Sequence, residues 1–280
     1  MEQKKHNCLL LTINIIGFIV SVAVLIISYF MQEIWWQSML IALSINLITS
    51  LLVLNFINRL LDSQAEKRHK KELKRKEREL ILNYHQIIET LIPIYVLEFN
   101  QLTIPISERT KDNKFLPIDS KTFNDSYGVK DLCDFASTDI FPFSTMGENI
   151  ISAYKIALKK LEDKFETMLT ITPFEFYPSI REILEQLITE SMLPNGIDTL
   201  NLFCQGNNKK QLLPTIIQMI KDYDGNPMDD YNHNKYSGNL FLNVIHLYIH
   251  LDKTKKLIEQ YLEEVEKIKK EDVKQFSSNQ

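Results

Sequence analysis

CLLLTINIIGFIVSVAVLIISYFM, residues 8–31, and MLIALSINLITSLLVLNFI, residues 39–57, decide how this chain is read. The first run holds 24 residues without a charge and the second holds 19. About 20 residues, rising 1.5 Å each, cross the roughly 30 Å hydrocarbon layer of a bilayer. The first run is too long for the 7–15-residue apolar region of a signal peptide, and no small-x-small cleavage site follows it. Both runs therefore read as membrane spans. Residues 32–38 join them, a link so short that the spans form an antiparallel hairpin. Trp35 and Trp36 lie in that link, where indoles settle at the headgroup level.

Basic residues set the orientation. Lys4 and Lys5 precede the first span, nine Lys or Arg fall between Arg59 and Arg78, and the link has none. The positive-inside rule places both termini in the cytoplasm and the Trp pair outside. Within the spans, Asn14 and Asn46 carry amides that lipid cannot satisfy, so both are expected to face another helix. Gly17 and Ser21 are spaced for close helix approach. These residues either pack the hairpin or build an oligomer interface or polar path. No Asp, Glu, Lys, Arg or His lies in either span, so nothing marks a transporter or proton relay.

EKRHKKELKRKERE, residues 66–79, contains no Pro or Gly and is rich in helix formers. It reads as a helical stalk covering 58–79. Lys67, Arg68, Lys70, Lys71, Lys74, Arg75, Lys76 and Arg78 are expected to lie against anionic lipid, each attracted by about 1 kcal/mol. Aromatic residues do not interleave them, which argues against nucleic-acid capture. Residues 1–79 carry 11 Lys/Arg and 7 Asp/Glu, net +4; residues 80–280 carry 21 and 29, net -8. An acidic body of that charge is a poor nucleic-acid binder.

Residues 80–274 read as a cytoplasmic helical domain with an irregular segment. Leu80, Tyr84, Ile87, Ile88, Leu91 and Ile92 share a helical face, and Pro93 is expected to end or kink that helix. Over 103–144 no period holds, and short strands or long loops are expected. Thr145 with Glu148, and Ser179 with Glu182, have capping-box spacing. Apolar stripes predict helices from Ile150 to Met168, Ile180 to Ile188, Leu200 to Cys204, Pro214 to Tyr223 and Asn239 to Lys270. Residues 275–280 read as a disordered tail. The fold class is thus all-α: a hairpin, a basic stalk and a helical domain.

Motifs for chemistry are sparse. The seven glycines are scattered, and neither a GxGxxG nor a P-loop pattern is present. Cys8, Cys133 and Cys204 give no disulfide framework and no CxxC pair. His246 and His250 share a helix face, but Leu247 stands where a metalloprotease has its Glu. His233 or Asp230 would have to complete a metal site there. Asp222, Asp224 and Asn226 imitate a calcium loop, yet Pro227 replaces the required Gly and His233 the closing Glu. No cofactor is expected, and the balance is against an enzyme.

Two resemblances remain. Arg78 and His85 have a spacing similar to the Arg-x4-6-His motif of HEPN ribonucleases, which implies a His that polarises a 2′-hydroxyl and an Arg that holds phosphate. Lys4 and Lys5, the hairpin Cys8–Ile57, the Lys67–Arg78 stalk and the helical domain together resemble two-span membrane effectors of bacterial anti-phage systems, those encoded with retrons included. That resemblance rests on architecture, without a diagnostic motif. It implies an inner-membrane protein of abortive infection, self-associating, restrained by a cytoplasmic regulatory protein or ribonucleoprotein, whose release damages the membrane. A membrane-tethered scaffold or sensor fits the same layout.

Overall fold

The computed structural model describes residues 2–30, 32–105, 120–136, 149–192, 196–205 and 209–277. In chain order these form helices α1 (Glu2–Phe30) and α2 (Ile34–Leu102), a 3-10 helix (Val129–Asp134), and α3 (Ile150–Ile171). Then come α4 (Pro178–Met192), α5 (Ile197–Gln205), α6 (Lys209–Asp222), α7 (Pro227–Asn232) and α8 (Phe241–Ser277). No strand occurs among the described residues, so the chain is all-α. It divides into two units, Met1–Leu73 and Lys74–Gln280.

In the first unit, α1 and the N-terminal part of α2 pair through inward positions. Asn14, Gly17, Ser21 and Ser28 line α1; Ser44, Ile48, Leu51 and Asn55 line α2. Spacings of three, four and seven keep one stripe of each helix on the seam. The outward positions are large and apolar: Phe18, Ile19, Leu52, Val53 and Phe56 are each about half exposed or more. An apolar exterior of that extent is costly in water. Among the described residues α2 is the one helix long and apolar enough to cross a membrane, and Asn14–Phe30 is a shorter apolar helix.

In the second unit the core lies among α2, α3, α4 and α8. Ile81, Ile88, Tyr95 and Phe99 come from α2, Tyr154, Leu161 and Phe165 from α3, Leu184 from α4, and Val244, Leu251, Ile258 and Tyr261 from α8. Each set follows the 3.6-residue helical period. Helix α8 packs against α4, α5, α6, α7 and the 3-10 helix. Asn149 caps α3 by accepting the N–H of Ser152 at 2.8 Å.

Several expectations need correction. Helix α1 begins at Glu2, and α2 already at Ile34, so Trp35 and Trp36 occupy its first turn rather than a loop. Helix α2 continues through Pro93. The missing N–H there is outweighed by core contacts of Ile92, Tyr95 and Val96 on either side. Helix α6 starts five residues before Pro214, which lies inside it. The spacing of Ser179 and Glu182 does not make a capping box: Pro178 opens α4, and the Ser179 hydroxyl donates to Glu264 at 3.1 Å. The box of Thr145 and Glu148 falls outside the described residues, as does much of 103–144, whose described part holds the 3-10 helix. Helix α8 runs to Ser277, three residues into the tail expected to be disordered. Helix α7 is too short to show a period.

Candidate functional site

The hairpin seam carries the polar groups of the first unit. Asn14 Nδ2 donates to Asn55 Oδ1 at 2.6 Å, and Ser44 Oγ donates to the Ser21 carbonyl at 3.2 Å. The Ser21 hydroxyl turns back to the Gly17 carbonyl at 2.7 Å. At Gly17 the facing side chain is Leu51, whose methyl would lie 3.0 Å from an added Cβ. The missing side chain therefore sets how closely the helices approach. Asn14, Gly17 and Ser21 thus act inside one hairpin. Asn46 does not: it is exposed, and its amide makes no hydrogen bond among the described residues. Trp35 and Trp36 are exposed and meet edge to face, with centroids 4.9 Å apart. The side chains of Lys4, Lys5 and Cys8 lie outside those described.

In the second unit the basic stretch becomes part of the body. Lys67, Arg68, Lys70 and Lys71, still in the first unit, are exposed, as are Arg75 and Lys76 at the start of the second, where Arg75 pairs with Glu79 at 3.5 Å. Lys74 instead pairs with Glu271 at 3.2 Å. Arg78 is buried, which removes it from any lipid-facing set. Beside it Glu77, also buried, accepts three backbone N–H groups: Glu175 at 3.0 Å, Phe176 at 2.9 Å and Tyr177 at 3.2 Å. Phe174, with φ 54, turns the chain so that these amides converge. They sit at the entrance to α4, where the helix dipole also favours a negative charge. Tyr177 lines the same clamp, its hydroxyl 3.5 Å from Glu271, and burial pushes its pKa up to about 12.

A polar column crosses the body's core. Tyr95 and Tyr154 hydroxyls are 2.9 Å apart, and Tyr95 donates to Thr254 at 3.1 Å. Thr254 donates to the His250 carbonyl at 2.8 Å. Burial pushes the Tyr95 pKa up to about 12 and that of Tyr154 well above its ordinary value. The His250 ring is buried, and neither nitrogen has a partner in hydrogen-bonding geometry. Burial lowers its pKa to about 4; the Glu190 backbone opposes this and Lys253 adds to it. His85 is buried against the Tyr261 hydroxyl at 3.2 Å. Its pKa is lowered by burial first and Lys269 second, against Glu89 and Glu266.

The sequence-level metal and nuclease candidates are not assembled. His246 meets Tyr231 edge to face while His250 is enclosed in the core. His233 Nδ1 is 2.7 Å from the Asp229 carbonyl, and Asp230 pairs with Tyr223 and Lys235. Asn226 caps α7 through Met228 and Asp229, so the calcium-like segment is a polar turn. No group of three or more His, Cys, Asp or Glu able to hold a metal occurs among the described residues. Arg78 and His85 are both buried, His85 against the Tyr261 hydroxyl. An open cleft of about 710 Å³ is lined by Ser126, Lys130, Asp131, Tyr223, Asp224 and Tyr248 among others.

The Glu77 clamp was missed in the sequence because its carboxylate stands in a run of charges that reads as solvated. No protein-family model, no curated protein and no solved structure matches the chain.

Proposed function

We propose that this is an integral inner-membrane protein, spanning twice with both ends cytoplasmic, and that it is the effector of a bacterial anti-phage system. Residues 8–31 and 39–57 cross the bilayer. The acidic helical body restrains them through a cytoplasmic regulatory protein or ribonucleoprotein, and release lets them impair the membrane. The observation that carries the membrane part is the inside-out hairpin. Asn14 meets Asn55 and Ser44 the Ser21 carbonyl on the seam, while most of the hairpin's outer surface is large and apolar. The exposed lysines and arginines of 67–76 support contact with anionic lipid. The effector role rests on the layout of hairpin, basic stretch and helical body.

The test has two arms. Membranes from cells expressing the full chain are washed with alkaline carbonate, which strips peripheral proteins; the chain is expected to stay. A voltage-sensitive dye then follows membrane potential in cells expressing the full chain or a version lacking residues 1–60. Depolarisation by the full chain alone supports the effector. Retention in the membrane with potential and growth unchanged, even under phage challenge with the regulatory partner present, overturns the effector role and leaves a tethered scaffold.

A further inference from the structure

The hairpin seam pairs Asn14 with Asn55 and Ser44 with the Ser21 carbonyl, and Asn46 takes no part in it. Asn46 is exposed, on the side of α2 away from Ser44, Leu51 and Asn55, the residues that face α1. At 1.5 Å per residue it sits about 3 Å from the middle of the 39–57 span. Thr49 and Ser50 are exposed on the same side, as are Ala42 and Val53. A helix hydroxyl can fold back to the carbonyl four residues earlier. An amide carries two donors and an acceptor, and the surrounding helix backbone is already hydrogen-bonded. Hydrocarbon offers neither donor nor acceptor, so an exposed amide at this depth is held only by another protein surface.

We infer that this face, Ala42, Asn46, Thr49 and Val53, is the contact between two copies of the chain, with Asn46 amides paired across a two-fold axis. The inference rests on the membrane-spanning reading. The occupant follows from symmetry and chemistry. A two-fold contact places each residue opposite its own copy at the same depth, and an amide is donor and acceptor at once, so two Asn46 side chains satisfy each other reciprocally. Ala42, with its small side chain, lets the backbones approach. Gly17 and Ser21, the small pair of α1, are already used within the hairpin and are not part of this contact.

The experiment uses the full chain in native membranes, with Cys8→Ser to clear the first span; Cys133 and Cys204 are buried. Val53→Cys reports the proposed face, and Leu52→Cys, also exposed, reports a different side of the same helix. After mild oxidation, Val53→Cys is expected to give a disulfide-linked band at twice the chain's mass, and Leu52→Cys little or none. Adding Asn46→Leu to Val53→Cys is expected to weaken the band about tenfold, which corresponds to about 1.4 kcal/mol. Asn46→Gln is expected to keep it. Equal bands from both reporters, no effect of Asn46→Leu, or a band of another mass overturns the contact between copies. Alkaline carbonate extraction of the same membranes separates the two levels. A chain that is stripped off fails the membrane reading and this inference together; a retained chain without an Asn46-dependent band fails this inference alone.

Discussion

The Glu77 carboxylate accepts the backbone N–H of Phe176 at 2.9 Å, joining α2 to the entrance of α4 across 99 positions of sequence. Glu175 and Tyr177 donate to the same carboxylate. Because Glu77 is buried, replacing it leaves three amides without an acceptor. Glu77→Ala is expected to destabilise the body by about 3 kcal/mol, from the loss of charge-assisted bonds and the cost of orphaned donors. Glu77→Gln also costs stability, since its amide N–H groups face donors. Denaturant unfolding in detergent measures the loss, and hydrogen exchange should place it at 175–177. Unchanged exchange there would refute the clamp.

Gly196 and Gly238 share a left-handed backbone, φ +76 and +79, but not their surroundings. A Cβ on Gly196 would lie 2.7 Å from Asn243 Cβ and 2.8 Å from the Asn243 carbonyl oxygen, in the first turn of α8. At Gly238 nothing lies within 4 Å. Gly196→Ala is therefore expected to cost about 3 kcal/mol or more, backbone strain and collision together, and Gly238→Ala only about 1 kcal/mol, for strain alone. Thermal unfolding of the two variants side by side checks the difference.

His250 is expected to make the body sensitive to acid. Its ring is neutral in the fold, with a pKa lowered to about 4 by burial. The unfolded chain takes up its proton near pH 6.5, so between about pH 6.5 and 4 the unfolded state binds more protons and stability falls as pH falls. The full loss from this residue is about 3 kcal/mol. His85 acts in the same direction. His250→Leu fills the same apolar site and is expected to flatten the profile while leaving stability at pH 7 little changed. Tm measured from pH 7.5 to 4.5 for both proteins tests this; parallel curves would exclude His250 as the cause.

Asn14 and Asn55 are expected to be coupled. Replacing either alone by Leu leaves the other amide on an apolar seam, whereas replacing both restores a uniform surface. A double-mutant cycle read by thermal unfolding in detergent should give a coupling of about 1 kcal/mol, the usual size of an interhelical hydrogen bond in a membrane protein. A coupling of zero would show that the 2.6 Å contact contributes nothing to the hairpin.

What could be read in the sequence was whatever depends on local periodicity. The stripes of α3, α4 and α8 name their own buried residues, because a helix repeats its face every 3.6 positions wherever it packs. Likewise Asn14 and Gly17 announce a seam, since lipid has no use for an amide and a missing side chain invites a neighbour. The sequence by itself thus determined an all-α chain with a long apolar helix near its start. Only the tertiary structure decided that Pro93 stays inside a helix, that Asn14 meets Asn55 while Asn46 faces outward, and that Arg78 and Glu77 leave the charged stretch for the core. Those outcomes depend on which groups distant segments bring within about 3 Å, and a hydrogen bond or a packed face acts at that distance whatever the separation along the chain.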